Sequence, residues 1–74
     1  MVFDYSKLLG KIKECGFNQT TLAKKIGINP ATMSEKINNK YRFTADEMGN
    51  ICNALSIPRD EIGVYFFTEK VQKS

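Results

Sequence analysis

The stretch that decides the fold is Gln19-Thr-Thr-Leu-Ala-Lys-Lys-Ile-Gly-Ile-Asn-Pro-Ala-Thr-Met-Ser-Glu-Lys-Ile37. It holds two segments of helical apolar periodicity, separated by Gly27, and Pro30 opens the second segment. Glycine is the usual residue where a chain turns through the left-handed region, and proline is favoured in the first turn of a helix. We therefore predict a helix over 19–26, a turn at Gly27 and a second helix from 30 to 37 or 38.

The second helix has two different faces when its residues are placed at about 100° intervals. Pro30, Met33 and Ile37 fall on one side and can face a core. The opposite and flanking positions hold small or polar residues, which are Ala31, Thr32, Ser34, Glu35, Lys36 and Asn38. A helix that enters the major groove of DNA needs short side chains near its N-terminus and polar groups that meet base edges. The pattern therefore predicts a helix that can read DNA.

Three further helices are predicted around this pair. An apolar stripe of Tyr5, Leu8, Leu9 and Ile12 indicates a helix over 5–15 that ends at Gly16. A capping box from Thr44 to Glu47 opens a helix over 45–55, and a short helix follows over 59–65. The inward residues of the 45–55 helix are predicted to be Met48, Ile51, Cys52 and Leu55.

The aromatic run at the end of the chain has two interpretations. Phe66 and Phe67 can cover the first helix near Val2 and Phe3, because so small a domain needs the apolar area, or they can form a two-fold dimer contact. The tail 66–74 is predicted to be extended or frayed. Taken together, the pattern predicts one all-α domain over 1–74, a compact five-helix structure with its helix-turn-helix at about 19–38.

Composition and charge limit the range of functions that the chain can have. Residues 1–43 carry eight basic and three acidic side chains (net +5), whereas residues 44–74 carry three basic and five acidic ones (net −2). One basic and one acidic half suit a protein that presents a face to a polyanion, although a solvated surface explains them too. The chain contains no histidine, and no Ser-His-Asp set, phosphate loop or carboxylate cluster is visible. We therefore expect neither an enzyme nor a cofactor or metal.

The setting is predicted to be cytosolic. No apolar run approaches the roughly 18 residues of a membrane span, and no secretory signal is recognisable. Cys15 and Cys52 lie far apart in sequence, and no histidine or second cysteine pair accompanies them as in a zinc site. We expect both to be reduced, partly buried thiols.

The chain resembles the lambda-repressor-like, XRE-type helix-turn-helix family, especially the small Cro-like or repressor-modulating proteins of temperate phages. The resemblance covers about residues 5–65. It is carried by Gln19, Leu22-Ala23, Ile26-Gly27-Ile28, Thr32-Met33-Ser34, Lys36-Ile37-Asn38, Phe43-Thr44 through Glu47, Ala54-Leu55-Ser56-Ile57 and Glu61-Ile62. The chain departs from the common pattern at Lys36, where an apolar anchor is usual, and at Asn39, where glycine is frequent.

The resemblance implies a DNA-binding residue set. Gln19 would bond a phosphate oxygen, and the residues in the major groove would be Asn29, Ala31, Thr32, Ser34 and Glu35. The flanking phosphates would be held by Lys36, Asn39, Lys40 and Arg42. Glu35 has an alternative as an exposed acid paired with a nearby lysine, and Lys24 and Lys25 are expected to be simply solvated.

Two functions follow from the resemblance. The first is a sequence-specific transcriptional regulator, a phage repressor or Cro-like switch protein that binds a double-stranded operator as a homodimer. The second is a protein-interaction modulator, which acts on a partner phage repressor and docks through its aromatic tail and acidic half. An antitoxin is a third alternative.

Overall fold

The computed structural model of the protein describes residues 2–70. Its helices are α1 (Ser6–Glu14), α2 (Gln19–Ile26), α3 (Pro30–Ile37), α4 (Ala45–Leu55) and α5 (Ile62–Phe66), with a single 3₁₀ turn at Arg59–Glu61 before α5. This order confirms the predicted all-α, five-helix fold. The bounds of α2 and α4 are those predicted from their capping residues.

Local hydrogen bonds explain where these helices begin. The amide of Thr21 donates to the side chain of Asn18 at 2.8 Å, and the amide of Asn18 donates to the Thr21 hydroxyl at 2.8 Å. At the start of α4, the amide of Glu47 donates to the Thr44 hydroxyl and the amide of Thr44 donates to the Glu47 carboxylate. Each pair satisfies backbone donors that the first turn of a helix leaves open.

The turn between α2 and α3 requires glycine. Gly27 has a φ of +81°, a conformation in which a side chain is strained. The Gly27 amide donates to Ala23 and Lys24 carbonyls, which closes α2. This confirms the predicted left-handed turn and fixes the direction in which α3 leaves.

The core lies where α2, α3 and α4 meet. Its fully buried side chains include Leu22 and Ala23 from α2, Met33 from α3, and Ile51 and Leu55 from α4. A larger side chain at Ala23 would separate the two helices of the motif, since cores are packed to crystal-like density. Met33 and Ile37 face inward as predicted, which leaves the opposite side of α3 toward solvent.

The first helix differs from its prediction in one residue. Tyr5, Leu8 and Ile12 are buried, but Leu9 remains 37% exposed. Leu9 lies about 100° around the helix from Leu8, and this rotation takes it beyond the stripe that the core covers. α1 is also one residue shorter at each end than the predicted 5–15.

The C-terminal part differs more. The predicted helix over 59–65 is a 3₁₀ turn followed by α5, which reaches Phe66. Residues 68–70 run antiparallel to the N-terminal segment, with bonds from the Asp4 amide to the Thr68 carbonyl (2.7 Å) and from the Lys70 amide to the Val2 carbonyl (2.9 Å). Of the tail 66–74, this described part is therefore paired and not frayed, while residues 71–74 lie outside the described residues.

Candidate recognition surface

The outer side of α3 carries the residues that were predicted to read DNA. Ala31 is exposed, and Thr32, Ser34 and Glu35 are half-buried. Asn29 caps the helix, since its side-chain oxygen accepts the Ala31 amide at 2.8 Å. Gln19 lies half-buried in the first turn of α2. The helix therefore presents short side chains, and its capping asparagine already has a structural role.

Lys36 is buried, so its ammonium group does not reach the surface at which a phosphate would bind. It is 7% exposed, and its Nζ donates to Glu47 Oε1 at 2.5 Å and to the Arg42 carbonyl at 3.2 Å. This differs from the expectation that Lys36 would hold a phosphate. The ion pair instead ties the end of α3 to the start of α4.

The Glu47 carboxylate has several partners. Burial opposes its ionisation, but hydrogen bonds from Lys36 and from the Thr44 amide, together with the Lys36 charge, outweigh that effect and hold the pKa of Glu47 below its usual 4.5. The same carboxylate thus caps α4 and neutralises Lys36. The resemblance predicted an apolar anchor at this position, and a lysine is accommodated here because Glu47 compensates its charge.

Asn39 also turns inward. Its backbone is left-handed, with a φ of +67°, which asparagine tolerates better than most residues. Its side chain accepts the Phe3 amide at 2.8 Å and donates to the Phe3 carbonyl at 2.9 Å. Asn39, which was expected to bind a phosphate, therefore fixes the N-terminal segment. On the other side, Val2 and Asp4 pair through their backbone with Lys70 and Thr68, which places Glu69 opposite Phe3.

The two remaining cations of this region are engaged as well. Lys40 lies 3.3 Å from Glu35 in a surface ion pair, which matches the alternative interpretation of Glu35. The Arg42 guanidinium lies 4.8 Å from the centre of the Phe3 ring and donates to Asn39 Oδ1 at 3.3 Å. It also hydrogen-bonds Tyr5, although burial still raises the pKa of that phenol.

An aromatic cluster accompanies this network. Phe3 contacts Phe67 edge-on at 5.7 Å between ring centres, and Phe43 contacts both Tyr5 (5.5 Å) and Phe66 (5.3 Å) in the same manner. Edge-to-face pairs at such separations are favourable beyond the area they bury. Phe66 is buried and Phe67 is half-exposed, so only Phe67 can contribute to an interface.

Phe66 and Phe67 were predicted either to cover the first helix near Val2 and Phe3 or to form a dimer contact, and the burial of Phe66 together with the Phe3–Phe67 contact agrees with the first interpretation. The aromatic residues come from three separate parts of the chain, around residues 3–5, 43 and 66–67, and periodicity within one helix carries no information about the contacts of Phe43 with Tyr5 and Phe66.

The two cysteines differ in their exposure to solvent. Both cysteines are free thiols, but Cys15 is exposed, not partly buried, while Cys52 is buried. Burial raises the pKa of Cys52 against a smaller effect of Arg59. Within residues 2–70, no helix has the length and apolar character to span a membrane, and no group of potential ligands is placed to hold a metal ion.

Comparisons with known proteins agree with this fold. The solution structure of the modulator of repression (MOR) of the temperate bacteriophage TP901-1 from Lactococcus lactis is similar, with 38% sequence identity, 97% of each chain covered and a TM-score of 0.79. This confirms the resemblance to small repressor-modulating phage proteins. The relative is described as a modulator and not as an enzyme.

Searches at the sequence level give two results. The comparison with curated proteins finds no match. The family described as "Protein of unknown function (DUF739)" matches residues 1–69. Since that match spans nearly the whole chain, the protein belongs to the DUF739 family.

Proposed function

We propose that this protein modulates phage repression by binding a partner repressor directly. The observation that carries the proposal is its similarity, over 97% of both chains, to a protein described as a modulator of repression. A likeness of that extent includes the helix-turn-helix, the N-terminal segment and the aromatic residues of the tail. It therefore favours the second predicted function over independent operator binding.

The side-chain geometry supports the same choice. Strong DNA binding depends on lysine and arginine side chains that neutralise phosphates. Of the four residues predicted to hold the flanking phosphates, Lys36 and Asn39 turn inward and Lys40 pairs with Glu35, whereas Arg42 stacks on Phe3 but stays exposed to solvent. A surface arranged in this way suits contact with protein better than contact with a polyanion.

Operator DNA remains a second candidate because of one feature. The outer side of α3 holds Ala31, Thr32 and Ser34, short side chains that would allow a close approach to base edges. Gln19 at the start of α2 could accompany them with a phosphate bond. As an operator-binding protein it would bind DNA as a homodimer, and the two half-sites of the operator would be about 34 Å apart.

Two measurements separate the candidates. The purified protein is mixed with a candidate partner repressor, and the complex is followed by size exclusion. A footprint is then recorded on the operator of that repressor for each protein alone and for the mixture. We expect a complex, a changed repressor footprint and no footprint of the modulator alone. A footprint of the modulator alone, weakening by a log–log salt slope of about −0.9 per phosphate, would support the second candidate instead.

A further inference from the structure

A small pocket opens between the N-terminal segment, the start of α4 and the end of α5. It encloses about 280 Å³, compared with about 150 Å³ for a cavity that holds one benzene molecule. Its walls are apolar and come from Phe3, Tyr5, Phe43, Met48, Phe66 and Phe67. The space can take one aromatic or long aliphatic side chain.

Among residues 2–70, the cation at its edge is Arg42. Arg42 also lines the pocket, and its guanidinium is held over the Phe3 ring, by Asn39 Oδ1 and by Tyr5. Arg42 remains exposed to solvent. An arginine held by its surroundings loses little side-chain entropy when it meets a carboxylate, and its planar group presents several N–H donors. The pocket thus joins an apolar interior to a fixed positive charge.

We propose that this pocket receives a large apolar side chain of the partner protein, together with an aspartate or glutamate beside it in the partner sequence. The apolar side chain would fill the space next to Met48 and Phe67, while the carboxylate would meet Arg42. Identifying that partner as the repressor rests on the proposed function. The chemistry of the occupant rests on the pocket alone.

The exposure of the tail supports an external occupant. Phe66 is 1% exposed, whereas its neighbour Phe67 is 51% exposed although it borders unfilled apolar space. Interfaces commonly place such aromatic residues and arginines at their energetic centre. Covering Phe67 and filling the pocket would bury apolar area that folding leaves in water.

Charge argues against a second copy of this chain as the occupant. A two-fold contact centred on the pocket would bring the Arg42 residues of both copies together, and like charges at close range are unfavourable. A partner segment with a carboxylate has the complementary charge. Homodimer formation through this face is therefore an outcome that would contradict the proposal.

The first test uses small probes on the intact protein. N-acetyl-phenylalanine, which has a carboxylate, and its uncharged amide are titrated into labelled protein by NMR. We expect shifts at Met48 and Phe67 for both probes, and about five- to ten-fold tighter binding of the carboxylate. Arg42→Gln should remove this preference, Arg42→Lys should keep part of it, and Arg59→Gln, a change outside the pocket, should leave it intact.

Two results would overturn the proposal at this level. One is a probe that shifts residues elsewhere but not Met48 or Phe67. The other is equal binding of the acid and the amide by wild-type protein. Each variant's spectrum is first compared with that of wild type. Arg42→Lys keeps the test decisive should Arg42→Gln disturb the N-terminal segment.

The second test uses the repressor and separates two kinds of failure. If the pocket is the docking site, Arg42→Gln and Phe67→Ser each weaken repressor binding about ten-fold, and Arg59→Gln does not. If wild type and all variants bind the repressor equally, the pocket is not the docking site, and the proposed function stands. If wild type does not bind the repressor while the probe preference holds, the proposed function is wrong and the pocket chemistry stands.

Discussion

The buried ion pair between Lys36 and Glu47 gives a sharp prediction about stability. Lys36→Met keeps a side chain of similar length but removes the cation, so the Glu47 carboxylate loses its partner. The side chains are only 9% and 16% exposed, and unpaired charges at such positions are unfavourable. The Thr44 amide still donates to the carboxylate, which reduces the penalty.

The magnitude follows from these contacts. Breaking a fully buried pair costs about 3–5 kcal/mol, and partial exposure with a retained hydrogen bond lowers this to about 2 kcal/mol. A domain of 74 residues is stable by about 5–10 kcal/mol, so the loss is readily measured. Urea unfolding followed by circular dichroism at neutral pH gives the free energy of unfolding.

A double-mutant cycle isolates the interaction. Glu47→Gln keeps the capping bond with Thr44, because glutamine serves in capping boxes, and it removes the negative charge. The double variant Lys36→Met with Glu47→Gln should therefore be more stable than Lys36→Met alone, by about 1 kcal/mol. Without an unpaired buried carboxylate, the main penalty disappears.

A matched surface pair provides the control. Lys40 and Glu35 lie 3.3 Å apart with 65% and 36% of their side chains exposed, and such pairs contribute about 0–1 kcal/mol. Lys40→Met should change the free energy of unfolding by no more than about 0.5 kcal/mol. If Lys36→Met has an equally small effect on the free energy of unfolding, the buried Lys36–Glu47 pair does not stabilise the contact between α3 and α4. The reasoning from the burial of Lys36 is then refuted.

Three further predictions concern pH and backbone. The pKa of Glu47 lies below 4.5 in the folded state, so the stabilisation from its carboxylate is present above about pH 4.5 and is lost as the pH falls further. The free energy of unfolding, measured by acid titration, should therefore decline less for Glu47→Gln than for wild type. Identical curves would contradict this. Asn39→Gly keeps the left-handed backbone but removes both side-chain bonds to Phe3, so we expect a loss of about 1–2 kcal/mol and faster exchange of the Phe3 amide. Unchanged exchange would mean that the backbone pairing of Val2 and Asp4 with Lys70 and Thr68 holds the segment by itself. In Gly27→Ala, the added Cβ has no atom within 4 Å. The φ of +81° at this position is nevertheless strained for alanine, so stability should fall by about 1 kcal/mol in thermal melts. An unchanged melting temperature would mean that the turn relaxes without strain.

The helix boundaries were predictable because their causes are local. Asn18, Gly27 and Thr44 act on amides within a few residues, and these short-range rules gave α2 and α4 their observed bounds. The inward direction of Met33 and Ile37 followed from periodicity alone. The resemblance to a known family supplied the packing of α2 against α3.

The side chains of the candidate site were less predictable because their partners are distant. Lys36 and Glu47 are separated by 11 positions, and Asn39 and Phe3 by 36. On a helical wheel Lys36 occupies a flanking position that is compatible with either solvent or core. Only the three-dimensional position of Glu47 decides between them, and the surface assignment of Lys36 came from the phosphate role that the resemblance implied.

These distant contacts also link the two proposals. A DNA-binding helix-turn-helix needs outward cations after its reading helix, but here that segment closes on the N-terminus through Asn39 and Arg42. The same closure builds the aromatic walls around Phe3 and sets a fixed charge at the pocket edge. The inward turn of Asn39 and the aromatic walls of the pocket therefore have one structural cause. If the repressor docks at this pocket, Asn39→Gly should weaken repressor binding together with the attachment of Phe3.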